Sequence, residues 1–130
     1  MKLWRWGKGR QEGGYDKFPI WVSERFRFDA YLLRFPQGSE VKRHLDPAPD
    51  GYAHHRVNFI LRRPRAGGKI GVDIAPAQRD EGKEWRWGIS EIVQDRIFHF
   101  RPDQYLHYMT PITEGGMLML SVGWLRKKRP

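Results

Sequence analysis

The sequence predicts an all-β sandwich or barrel, on three observations. Turn residues punctuate the chain at Gly13-Gly14, Pro36 to Gly38, Pro47 to Gly51, Pro64 to Gly68, Gly82, Pro102-Asp103 and Glu114 to Gly116. Between them lie short stretches rich in β-branched and aromatic residues, and short strands at regular turn spacing mark sandwiches and barrels. No segment keeps a helical period over three turns.

Taken in order, the Gln11–Phe18 region or Ser23–Phe28 could hold a short helix. The strand candidates then follow as Phe26–Phe35, Val41–Leu45, Arg56–Arg62, Lys69–Asp73, Trp85–Ile89, Arg96–Phe100, Tyr105–Met109 and Met117–Trp124. Trp4-Arg5-Trp6-Gly7 recurs as Trp85-Arg86-Trp87-Gly88. Two copies of four residues do not make a repeat architecture.

A chain of 130 residues is expected to form a single domain, 1–130, with a modest core. Cysteine is absent, which excludes disulfides and thiolate metal sites. The basic start MKLWRWGKGR lacks the apolar stretch of a signal peptide, and no apolar run is long enough to span a membrane. A soluble, cytoplasmic protein with no membrane partner is the expectation. The formal net charge is +9, with cations concentrated at Lys2 to Arg10, at Arg62, Arg63 and Arg65, and in a basic tail over 126–130. That excess suits either an acidic partner, nucleic acid or protein, or a solubilising surface.

The residues that point to chemistry are His44, Asp46 and His107. Side chains at i and i+2 on a strand share a face, and a histidine from another strand can complete the triangle. Two imidazoles and a carboxylate on one face of a metal, with the opposite face open, suit non-haem Fe(II) and O₂ chemistry. His44-Leu45-Asp46-Pro47 runs into a turn, and His107 follows the Pro102-Asp103 turn, so all three fall near strand ends. His54, His55 and His99 are rivals. His54 and His55 are adjacent, so only one can use a given face, and His55 is the reserve ligand. His99 alternates with Phe98 and Phe100 and reads as a pocket or surface residue.

Phe28 to Ser39 followed by His44-Leu45-Asp46, then His54 to Leu61 ending in Gly67-Gly68, then Arg96 to Asp103, His107 and Leu120 to Trp124 together resemble the 2-oxoglutarate/Fe(II)-dependent oxygenases. The likeness is to small single-domain members related to prolyl and aspartyl/asparaginyl hydroxylases, and it covers about residues 28–125. It implies a double-stranded β-helix, or jelly roll, as the catalytic core. It also implies Fe(II) held by His44, Asp46 and His107, with 2-oxoglutarate and O₂ as cosubstrates in a C–H hydroxylation. One position departs from the family. Its members carry an arginine in a Gly-x-Arg context after the distal histidine, which pairs with the far carboxylate of 2-oxoglutarate. This chain has Met117 there, and a thioether cannot pair with a carboxylate. Arg56 is the foremost substitute, because Arg56-x-Asn58 resembles the cosubstrate-facing pair of the aspartyl/asparaginyl hydroxylases. Tyr31 joins these two as a cofactor-binding candidate, and Arg63 and Lys69 are alternative cations. The competing expectation is a metal- or small-acid-binding module without turnover.

Overall fold

The computed structural model describes residues 7–8, 14–25, 27–76 and 90–128. Within them run twelve strands: β1 (Gly7–Lys8), β2 (Asp16–Ser23), β3 (Phe28–Phe35), β4 (Val41–His44), β5 (Tyr52–Arg62), β6 (Ala66–Gly67), β7 (Ile70–Asp73), β8 (Ser90–Ile92), β9 (Ile97–Phe100), β10 (His107–Met109), β11 (Ile112–Glu114) and β12 (Met117–Lys127). They form a six-stranded sheet ordered β1-β2-β3-β12-β5-β9 and a facing sheet ordered β4-β10-β7-β8. All the pairings are antiparallel. A short β11-β6 pair adds a third, two-stranded sheet. Two packed sheets with strands exchanged in this order make a jelly roll.

Alternation along the strands decides what the barrel encloses. On β12, Met117, Met119, Ser121 and Gly123 are buried while their neighbours are only half-buried. Met117 and Met119 pack with Phe35, Ile60, Met109 and Ile112 in an apolar core, flanked by Tyr15, Leu33, Val41, Ile70 and Phe98. Tyr15 stacks on Phe35 with ring centroids 4.9 Å apart. The interior is therefore apolar around Met117 and becomes polar along β12 and β5, where Ser121 pairs with Asn58 across the ladder.

The predicted strands are present with shifted ends wherever they fall on described residues. β5 begins at Tyr52, so His54 and His55 lie within a strand, and β12 continues to Lys127, which draws Arg126 and Lys127 of the expected tail into the ladder. The Trp85–Ile89 strand and all but Gly7 of the Trp-Arg-Trp-Gly copies lie outside the described residues. No helix occurs among the described residues. The expected short helix falls on β2 and the β2–β3 hairpin instead. Pro19 obscured β2, since proline usually argues against a strand interior. Here it sits beside a bulge between Pro19 and Trp21, where ladder register shifts. No helix among the described residues is long and apolar enough to cross a membrane.

Candidate metal centre

His44 closes β4 and His107 opens β10, directly opposite it in register. Asp46 follows in the loop, held by its amide N–H donating to the Pro102 carbonyl at 2.8 Å. The carboxylate lies between the two rings: His44 Nε2 is 3.5 Å from Asp46 Oδ1 and His107 Nε2 is 3.4 Å from Oδ2. The ring centroids are 4.2 Å apart. One ligand atom from each residue lies within 4.8 Å of the others.

Each ring is fixed from behind. His44 Nδ1 is 2.6 Å from the Lys42 carbonyl and His107 Nδ1 is 3.0 Å from the Tyr105 carbonyl. A carbonyl only accepts, so Nδ1 carries a proton in both rings, which leaves Nε2 as the atom each ring turns toward Asp46. Such outer contacts orient metal-binding imidazoles. Burial alone would raise the Asp46 carboxyl, but hydrogen bonds and charge from His107 and His44 hold it well below the usual carboxylate range. Burial works to lower His44, and the Asp46 partnership outweighs it and raises the imidazole. Two oriented nitrogens and an ionised carboxylate form a donor set that suits Fe(II), Mn(II) or Zn(II).

The three ligands border a cavity of about 640 Å³ between the sheets. Tyr31, Arg56 and Asn58 line it, as the sequence predicts. Arg56, however, is already committed. Its guanidinium donates to Asp29 at 2.8 and 3.0 Å and to Ser121 Oγ at 2.8 Å, and lies 3.3 Å from His54 Nε2. A guanidinium only donates, so His54 accepts. Burial, then the Arg56 charge, push that imidazole below its ordinary value. Asp29, Gly123 and Arg56 face one another on three successive strands. The arginine therefore crosses the middle strand to reach Asp29, and only glycine permits it: a Cβ on Gly123 would collide with the Arg56 guanidinium.

Arg63 and Lys69 are not at this cavity. They line a second, smaller cavity of about 310 Å³ together with Met117, Gly67 and Gly68, and Arg63 donates to the Gln94 carbonyl at 2.8 Å. Met117 is 1% exposed within the apolar core. A cavity-lining cation that the sequence analysis did not single out is Lys17. It faces the large cavity beside Tyr31, its ammonium 4.5 Å from the ring centroid. Its register partner Leu33 faces the core, a signal hidden once β2 was read as helix. The Oδ1 of Asn58 is buried without a hydrogen-bond partner at the same wall.

His54 borders the cavity, whereas His55 and His99 alternate away from it and meet each other through Nδ1 and Nε2 at 2.9 Å. Of the five histidines, the structure brings only His44 and His107 to Asp46.

Solved structures with the same strand arrangement include a Pseudomonas putida prolyl-4-hydroxylase (TM-score 0.65, 16% identity, covering 95% of this chain and 78% of that one). The Schizosaccharomyces pombe Cnp3 cupin domain superimposes with a TM-score of 0.58 at 12% identity, covering 94% and 69%. KdgF from a Halomonas species gives 0.53 at 13% identity, covering 95% and 88%. This is a cupin-type jelly roll. At such identities the likeness establishes the cupin barrel and nothing finer. No family profile and no curated protein matches the chain. The His44, Asp46 and His107 cluster sits at the paired ends of β4 and β10 in the smaller sheet, on the cavity wall.

Proposed function

We propose that this cupin barrel is an Fe(II)-dependent oxygenase that uses 2-oxoglutarate to hydroxylate a C–H bond. The observation that carries the reading is the orientation of His44, Asp46 and His107 toward one point on the wall of a cavity large enough for a small organic acid. Fe(II) bound there would supply O₂ activation coupled to decarboxylation of the keto acid. The chain's own part is to orient and to neutralise. Lys17 and Tyr31 offer an ammonium and a phenol to the far carboxylate, and Asn58 and Ser121 offer polar atoms beside them. Arg56 is tied into this wall through Asp29, and Lys17, on the same cavity beside Tyr31, is the further cation that this reading assigns to the carboxylate. That assignment replaces the arginine missing at Met117.

A second reading is favoured by the buried Met117: a cupin that binds a metal or a small acid without turnover. Anaerobic titration with Fe(II) and then 2-oxoglutarate separates the two. The oxygenase should develop the visible charge-transfer band of a keto acid on Fe(II), and should release succinate when air is admitted. Metal binding with neither band nor succinate would leave the binding module standing and sink the oxygenase.

A further inference from the structure

The outer face of the six-stranded sheet carries a group of rings that the metal centre does not use. Arg56, Asn58, Phe98, Phe100 and Ser121 face the cavity, which Trp124 also borders; alternation turns His55 and His99 outward, and Trp124 stands beside them on the third of three adjacent strands. The rings lie close to parallel. His55 and Trp124 differ by 8° with centroids 5.6 Å apart, His55 and His99 by 18° at 5.2 Å, and His99 and Trp124 by 26° at 6.0 Å. The hydrogen bond between His55 Nδ1 and His99 Nε2 locks two of them together.

Cations lie at one end of this tile. Arg126 lies two residues beyond Trp124 on the same strand face, and Lys127 and Lys128 follow it; all three are exposed and carry no ion pair among the described residues. Arg27, over the Tyr52 ring at 4.5 Å, lies on the cavity side of the sheet instead. The Arg27 carbonyl accepts the Leu125 amide, which fixes the hairpin beside the end of β12. The nearby acids do not cancel this charge: Asp103 is paired with Arg101 at 2.8 Å, leaving Glu24 and Asp50 in the adjoining loops.

We propose that this corner of the barrel binds single-stranded nucleic acid, with bases stacked on the Trp124, His55 and His99 tile and phosphates held by Arg126, Lys127 and Lys128. Parallel rings flanked by cations are how non-sequence-specific single-strand sites are built. A flat tile stacks only on a base splayed from its neighbours, which a paired duplex does not offer. The net charge of +9 supplies the long-range attraction. An acidic peptide would use the cations but gain nothing from the tile. The proposal stands apart from the oxygenase reading, because binding needs neither metal nor turnover.

The test is fluorescence anisotropy of a labelled oligo(dT) of about 15 nucleotides, with EDTA present so that no metal contributes. Binding should weaken steeply as salt rises. Trp124→Ala should weaken it between about fivefold and a hundredfold, Trp124→Phe should restore most of the loss, and the exposed His99→Ala should weaken it by at least about fivefold. Replacing Arg126, Lys127 and Lys128 together with Ala should lower the salt slope by about two. Equal binding by wild type, His99→Ala and a folded Trp124→Phe and Trp124→Ala pair would overturn the stacking site. So would duplex DNA binding as tightly as the single strand, or poly-glutamate competing as well as poly(dT). No binding at about 50 mM salt would remove nucleic acid altogether.

Discussion

Asp103 illustrates how one residue ties chemistry to the frame of the site. Its carboxylate takes hydrogen bonds from Arg101 at 2.8 and 2.9 Å, and the His54 backbone N–H also supports it. Burial works to raise its pKa, but these partners outweigh burial and lower it below 3.8. A depressed carboxylate contributes stability above its unfolded value. That contribution is lost as pH falls through the lower folded value. Asp103→Asn should therefore reduce wild-type stability at neutral pH and make no difference in strong acid, as read by urea denaturation at several pH values. At the metal centre, His44→Ala and His107→Ala should each weaken Mn(II) binding by at least about tenfold, measured by calorimetry, while His55→Ala leaves it unchanged. Full affinity in both ligand variants would remove the assignment. At the cavity wall that the proposed function gives to the keto acid, Lys17→Ala should weaken 2-oxoglutarate binding more than tenfold with metal affinity retained. If Lys17→Ala binds normally and Lys17→Met does too, the cation lies elsewhere.

At the scale of the strand, the row Asp29, Gly123 and Arg56 does two jobs with one residue triplet. It ties β3, β12 and β5 together side by side, and it occupies the arginine that the sequence offers foremost to the ligand. Gly123→Ala should push the guanidinium off Asp29 and leave that carboxylate unpaired. We expect a loss of about 2 kcal/mol or more in folding stability, with the same change in an Arg56→Ala background costing much less. Additive costs would show that Gly123 is there for another reason. Gly67 has a comparable constraint at the opposite end: its φ is 75°, and a Cβ would meet the Thr113 amide nitrogen at 2.7 Å. β12 itself explains why the family arginine cannot simply be reinstated. Its first residue, Met117, pairs with Phe35 and is sealed among Ile60, Met109 and Ile112. Met117→Arg would bury an unpaired guanidinium, so it should destabilise by about 3 kcal/mol or more and gain no affinity for 2-oxoglutarate.

For the whole barrel, the sequence made the architecture legible because period-2 patterning and turn residues are local signals. The clustering of His44, Asp46 and His107 was legible for a related reason: a pair at i and i+2 declares its own geometry, and a strand-borne histidine can be matched to it. What stayed hidden depends on which strand lies beside which. Nothing local to Arg56 announces Asp29, two strands and more than twenty residues away. Lys17 went unnoticed because its strand was not predicted, and the nearness of Arg63 and Lys69 to the Gly67-Gly68 turn does not say which cavity they line. The division of the interior into an apolar half around Met117 and a polar half around Asp46 is likewise a property of the closed barrel, visible only once Met119, Ser121 and Asn58 are seen on one wall.

The central place of β12 has a further consequence for how the barrel comes into being. It is the last of the twelve strands along the chain, yet it lies between β3 and β5 and pairs with both. Until it leaves the ribosome, β3 and β5 have no neighbour to join them, and the two halves of the large sheet remain separate ribbons. A growing chain ending before Met117 must therefore hold its apolar stretches exposed, in the condition that invites aggregation and chaperone capture. Closure then waits on contacts between residues far apart in sequence, which slows it. Ribosome-stalled chains ending at Gly116 should be cut readily by protease. Chains whose β12 has cleared the exit tunnel should resist, and resistance should arise in a single step rather than strand by strand.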